Sequence, residues 1–110
     1  MSKKPDNLQG ALDLLILRTL SSRGPMHGYG IAVHIERVSG DALKVEEGSL
    51  YPALHRIEQA GWISSQWKLT EHRRRAKYYR ITPAGARRLI EEEKTWQMVT
   101  DGVSRVLKYT

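Results

Sequence analysis

A chain of 110 residues is long enough for one hydrophobic core and too short for a second domain of ordinary size. Its 18 Lys and Arg outnumber 12 Asp and Glu, and the formal charge of +6 favours polyanionic partners. With no cysteine, disulfides and thiolate metal sites are excluded.

The Met1-Ser2-Lys3-Lys4-Pro5 start lacks the apolar core of a signal peptide, and no apolar run reaches bilayer length. A cytoplasmic chain with no membrane partner is expected. Asn7 can cap a first helix carrying Leu8, Leu12, Leu15, Ile16, Thr19 and Leu20 on its inner side. Leu14 and Leu17 widen that apolar surface, which suits a helix covered on more than one side. Arg23-Gly24-Pro25 ends it. A second helix runs roughly from Gly28 to Val38, burying Ile31, Ile35 and Val38, and exits through Ser39-Gly40-Asp41. Leu43 to Val45 reads as a short strand.

The next helix lies within Glu46 to Gly61. At ~100° per residue, Leu50, Ala53, Leu54 and Ile57 share one face. Gly48, Pro52, His55 and Gln59 point the opposite way, flanked by Ser49, Tyr51 and Arg56. This outer face has little bulk at its start and hydrogen-bonding groups beyond, a shape that suits a groove or a backbone. Pro52 is harmless if Ser49 is the N-cap, whereas a start nearer Glu46 implies a local distortion. Gly61 closes the helix, where a positive φ is expected.

Trp62 to Leu69 alternates, with Ile63, Trp67 and Leu69 in one parity, and Lys77 to Thr82 alternates through Tyr79 and Ile81. These form a hairpin whose tip holds Glu71-His72-Arg73-Arg74-Arg75. From His72 to Ile90 there are seven Lys or Arg and no Asp or Glu, and Glu91-Glu92-Glu93 follow at once. The positive charge is therefore local. Thr82-Pro83 starts the last helix, a capping hydroxyl followed by proline at the first helical position. In it Leu89, Trp96 and Val103 repeat every seven residues, as do Val99 and Val106. Such a seam suits a partner helix from a second copy of the chain.

The expected fold is mostly α with a small β-hairpin. A winged helix-turn-helix occupies residues 1–82, and a C-terminal dimerisation helix follows at 83–110. A groove-shaped helix beside a cationic hairpin is the layout of a protein that reads double-stranded DNA. Ser49 and Tyr51 offer hydroxyls near a helix N-terminus, where phosphate is also favoured. Gly48 allows close approach, while His55 and Arg56 either reach base edges or form a solvated face. Arg73, Arg74, Arg75 and Lys77 suit phosphate contact. Tyr29 either touches the DNA backbone or packs in the core. No enzyme is expected. His27, His34, His55 and His72 show no metal-ligand spacing, no Gly-x-Ser-x-Gly elbow or phosphate loop occurs, and nothing calls for a cofactor. The alternative is a winged-helix protein-interaction module without specific DNA binding.

Four segments resemble the PadR family of bacterial transcriptional regulators. They are Pro25-Met26-His27-Gly28-Tyr29-Gly30, Glu47-Gly48-Ser49-Leu50-Tyr51-Pro52-Ala53-Leu54, Gly61-Trp62-Ile63, and Lys77-Tyr78-Tyr79-Arg80-Ile81-Thr82-Pro83-Ala84-Gly85. Their order matches too, and the likeness runs from about Leu8 to the C-terminus. It implies a homodimeric repressor, and the length resembles the short branch with a single C-terminal helix. The resemblance places Ser49, Tyr51 and Pro52 on the recognition helix, with the tyrosine at the DNA and the wing arginines on phosphate or in the minor groove. Two recognition helices imply a palindromic operator. Relatives often carry glycine or asparagine at the wing tip, where this chain has Arg73 and its neighbours. Trp96 reads first as packing in the helix seam. The resemblance adds a second role, since some short members hold a flat aromatic effector between such residues at the dimer centre.

Overall fold

Helix α1 (Asp6–Arg23) is the axle around which the other elements pack. In this computed structural model the backbone is described for residues 6–110 and side chains from residue 11 onward. The Met1–Pro5 start and the burial of Leu8 lie outside the described residues, while Asn7 falls within the helix, which already includes Asp6, rather than at its N-cap. Ile16, Leu17 and Leu20 are buried, with Leu14 and Leu15 against the same core, so α1 is covered on several sides. Thr19 is buried as well, and its hydroxyl donates to the Leu15 carbonyl at 2.7 Å.

A two-residue strand β1 (Met26–His27) leads into α2 (Gly28–Val38), which buries Ile31 and Ile35. Val38 does not join them. It lies on the same helical face but past the end of the core, in the turn that runs into Ser39, and it is exposed. The strand expected at Leu43–Val45 is also absent. Side chains of α2 and its C-cap take these backbone donors instead: Leu43 N–H reaches Ser39 Oγ at 3.1 Å, and Val45 N–H reaches Glu36 Oε2 at 3.0 Å.

Helix α3 (Glu47–Gln59) buries Leu50, Ala53, Leu54 and Ile57, the face set by their spacing. It begins early, with Glu46 at the N-cap, so Pro52 falls inside it. Proline has no N–H to give the Gly48 carbonyl, and one helical hydrogen bond is missing there. Gly61 (φ +84°) then turns the chain into β2 (Ile63–Leu69) and β3 (Arg75–Ile81). The hairpin pairs Ile63 with Ile81 and Leu69 with Arg75. The sheet has three strands rather than two, ordered β1-β3-β2, because Met26 and His27 pair with Tyr79 and Tyr78. Only the base of the hairpin is in the core: Ile63 and Tyr79 are buried, while Trp67 and Leu69 are exposed.

Thr82 caps α4 (Pro83–Tyr109), its Oγ1 accepting from Gly85 N–H at 3.0 Å while the hydroxyl donates to the Gly61 carbonyl at 2.7 Å. The first turn of α4 presses on the α3–β2 corner so closely that a Cβ on Gly85 would overlap the Trp62 carbonyl oxygen. Gly85→Ala is therefore expected to lower stability by about 1–3 kcal/mol through overpacking, read as a lower urea midpoint. Helix propensity alone gives the opposite sign, favouring alanine by about 1 kcal/mol. A raised midpoint would thus remove the close contact from the account.

Leu89 corrects one expectation for α4. It is 5% exposed and belongs to the protomer's own core, so it is no part of a seam with a second chain. Its place in the seven-residue repeat reflects packing on the winged-helix body. Beyond it the helix runs clear: Trp96, Val99, Val103 and Val106 are 43, 42, 52 and 60% exposed. The projection shows in the radius of gyration, 15.2 Å, against about 13 Å for a compact chain of this length.

Candidate nucleic-acid interface

The uncovered side of α3 carries Gly48, Ser49, Tyr51, Pro52 and His55, all exposed. Tyr51 is fixed by its contact with α2. A Cβ on Gly28 would lie 2.8 Å from the Tyr51 ring and 3.0 Å from its hydroxyl oxygen, so only glycine lets the ring lie against the start of α2. That helix start is itself anchored. β1 ties His27 to the sheet, and His27 Nδ1 accepts from Gly30 N–H at 3.0 Å as the N-cap of α2. Accepting at Nδ1 places the ring proton of neutral His27 on Nε2. Tyr29 is exposed one residue into α2, its ring stacked 6.4 Å from that of His27.

The wing closes on Thr70. Its N–H donates to the Arg74 carbonyl at 2.7 Å, and its carbonyl accepts from Arg73 N–H at 2.9 Å. Its Oγ1 also accepts from His72 N–H and Arg74 N–H, each at 3.2 Å. Arg73 has φ +61°, so an arginine stands where this turn would favour glycine or asparagine. Holding the left-handed conformation costs roughly 1–2 kcal/mol. Arg73, Arg74 and Arg75 are all exposed. The Arg75 guanidinium lies 5.2 Å from the centre of the Trp67 ring, which braces it without neutralising it. Lys77 is placed differently. Its Nζ is 3.9 Å from Glu58 Oε1, and Glu58 also accepts from Ser65 Oγ at 2.6 Å.

Between α3, the wing and the start of α2 runs an open groove of about 570 Å³. Tyr51 and His55 line one wall and Trp67, Arg75 and Lys77 the other, with Tyr79 also in the lining and no carboxylate residue among the lining residues. Burial pushes the Tyr79 phenol above its ordinary pKa, aided by Glu58 and then Tyr51, so its hydroxyl stays protonated and neutral. Sequence reasoning missed His27 and Trp67 as parts of this groove. The parity of Trp67 with Arg75 and Lys77 across the hairpin is the signal that finds it.

Arg56 is the candidate that leaves this surface. Its guanidinium turns to α1 and pairs with Asp13. Among the described residues no cluster of His, Asp or Glu could hold a metal ion, and no helix is long and apolar enough to cross a membrane.

Helices α2 and α3 with a three-stranded sheet and a projecting hairpin make a winged helix-turn-helix. Residues 16–91 match the transcriptional regulator PadR-like family, and the chain belongs to it. Its fold is similar to that of a transcriptional regulator from Clostridium thermocellum, with a TM-score of 0.81 at 29% identity over 94% of this chain and 97% of that one. A PadR family transcriptional regulator from Eggerthella lenta aligns with a TM-score of 0.76 at 32% identity, covering 94% and 88%. A transcriptional regulator of Mycobacterium tuberculosis is 37% identical over 59 residues, 54% of either chain. The protein is thus a transcriptional regulator of a DNA-binding family, and its class is not enzymatic.

Proposed function

We propose that the chain acts as a homodimeric repressor on a palindromic operator, with α3 as the recognition helix. The observation that carries this reading is the groove itself. An exposed helix face and a cationic wing flank one channel whose lining has no carboxylate. With α3 in a major groove about 12 Å wide, the wing reaches the neighbouring minor groove and the strand between them runs along the channel. Gly48, Ser49, Tyr51, Pro52 and His55 then face the bases and adjoining phosphates. Tyr29, Arg73, Arg74, Arg75 and Lys77 hold the backbone. Trp96, Val99, Val103 and Val106 form the two-fold seam.

Selecting bound sites from random DNA tests symmetry and mechanism together. The expected product is a palindrome with half-sites about 34–36 Å apart, and Tyr51→Ala should enrich it poorly. Enrichment of a single half-site would contradict the dimer. Little DNA affinity at any salt concentration would instead mark a protein-docking module. Trp96, part exposed on the seam face of α4, is where a planar effector would sit between subunits and release the operator. Release requires that the effector prefer one spacing of the recognition helices, since equal affinity for both shifts nothing.

A further inference from the structure

Arg56 stands beside His55 on the recognition helix, where an arginine would ordinarily be assigned to a base edge or a phosphate. Its guanidinium is already engaged. Nη2 meets Asp13 Oδ1 at 2.5 Å, and the Asp13 side chain is only 15% exposed. Glu92 and Arg88 of α4 act on the same carboxylate through space, and they are paired with each other at 2.6 Å. Two charges of each sign, from α1, α3 and α4, therefore gather beside one helix. Burial pushes the Asp13 carboxyl up, and Arg56 is the chief group opposing that shift by charge and by hydrogen bond. The anchor and its partner depend on each other.

The remaining contacts of α3 explain why such an anchor matters. Leu50, Leu54 and Ile57 bury the inner face and Tyr51 rests on Gly28 at the start of α2, but these are apolar contacts without the directionality of a hydrogen bond. A charge-assisted hydrogen bond to a fixed partner is directional. The turn that follows the Arg56 end of α3 is held as well. Thr82 bonds the Gly61 carbonyl, and the Arg88 guanidinium lies 4.6 Å from the centre of the Trp62 ring. α1 is tied to α4 in turn by Arg18 and Glu93 at 3.3 Å.

We infer that Arg56 is a positioning residue: its ion pair with Asp13 sets the rotation of α3 so that Tyr51 and His55 face the DNA, and Arg56 itself makes no DNA contact. This rests on the reading of α3 as the recognition helix.

The test compares the selected operator with a scrambled duplex of equal length, each titrated against salt. Arg56→Ala is expected to lose roughly tenfold in operator affinity, equivalent to ~1.4 kcal/mol, while scrambled-duplex affinity and salt slope stay at wild-type values. Asp13→Ala should do the same, although it leaves the arginine in place and free. Arg56→Lys should recover part of the loss. The exchange Asp13→Arg with Arg56→Asp should recover more, provided circular dichroism shows it folded. A salt slope reduced by about one in Arg56→Ala, with equal weakening on both duplexes, would make Arg56 a phosphate contact and overturn the inference. Operator affinity kept or raised in Asp13→Ala would overturn it too. Equal losses on both duplexes that track the folded fraction would reduce the pair to a stability element. A wild type with no preference for the selected site would fail differently, bringing down the recognition-helix reading and the positioning role with it.

Discussion

Val99→Glu combined with Val103→Glu is expected to turn the protein into a monomer and to abolish tight operator binding. Both valines are part exposed in the protomer and lie beyond the point where α4 leaves the core. In a two-fold seam each substitution appears twice, so four carboxylates converge on one apolar strip. Each carries a desolvation penalty of several kcal/mol if buried without a partner, and the contribution of about 0.7–1.5 kcal/mol from covering the exposed half of each valine is lost. The protomer should survive. Leu89, the Thr82 cap and the Gly85 contact hold the base of α4 independently of the seam. Circular dichroism should therefore keep its helical signal while light scattering at micromolar concentration reports half the mass. Operator affinity falls because two linked half-site interactions become two independent ones. A monomeric wild type in the same experiment would sink the dimer and the palindrome together.

What the sequence disclosed follows from the range of the interactions involved. The inner face of α3 and the Thr82-Pro83 start were legible because spacing and capping are local. Periodicity identifies a face without saying what covers it. Leu89 and Trp96 share one phase of the repeat, yet the first lies over the protomer's own core and the second beyond it. Val38 shows the same limit on α2. β1 was hidden because two residues are too few to alternate, and it exists through pairing with Tyr78 and Tyr79 far along the chain. The expected strand at Leu43–Val45 failed because Ser39 and Glu36 supply acceptors that a strand propensity cannot foresee. Arg56 was the hardest. Its partner is 43 residues away, and its helical angle alone suggested an outward role.

Replacing Arg73, Arg74 and Arg75 together with alanine should weaken binding to every duplex and flatten its salt dependence. Removing three cations from the phosphate backbone would lower the slope of log K against log salt by roughly two to three. At about 1 kcal/mol for each exposed charge, affinity should fall on the order of a hundredfold. The fold should be indifferent, since all three side chains are exposed and the turn is held by Thr70 through backbone and hydroxyl hydrogen bonds. Single variants should then separate the roles. Arg73→Gly relieves the positive φ while removing one charge, so stability should rise slightly as the slope falls. Arg75→Ala also unbraces Trp67, and its effect should include a change in tryptophan emission. Lys77→Ala should move the slope least, because Glu58 already compensates part of that charge. An unchanged slope in the triple variant would take the phosphate contact away from the wing, leaving the helix starts beside the groove to supply it.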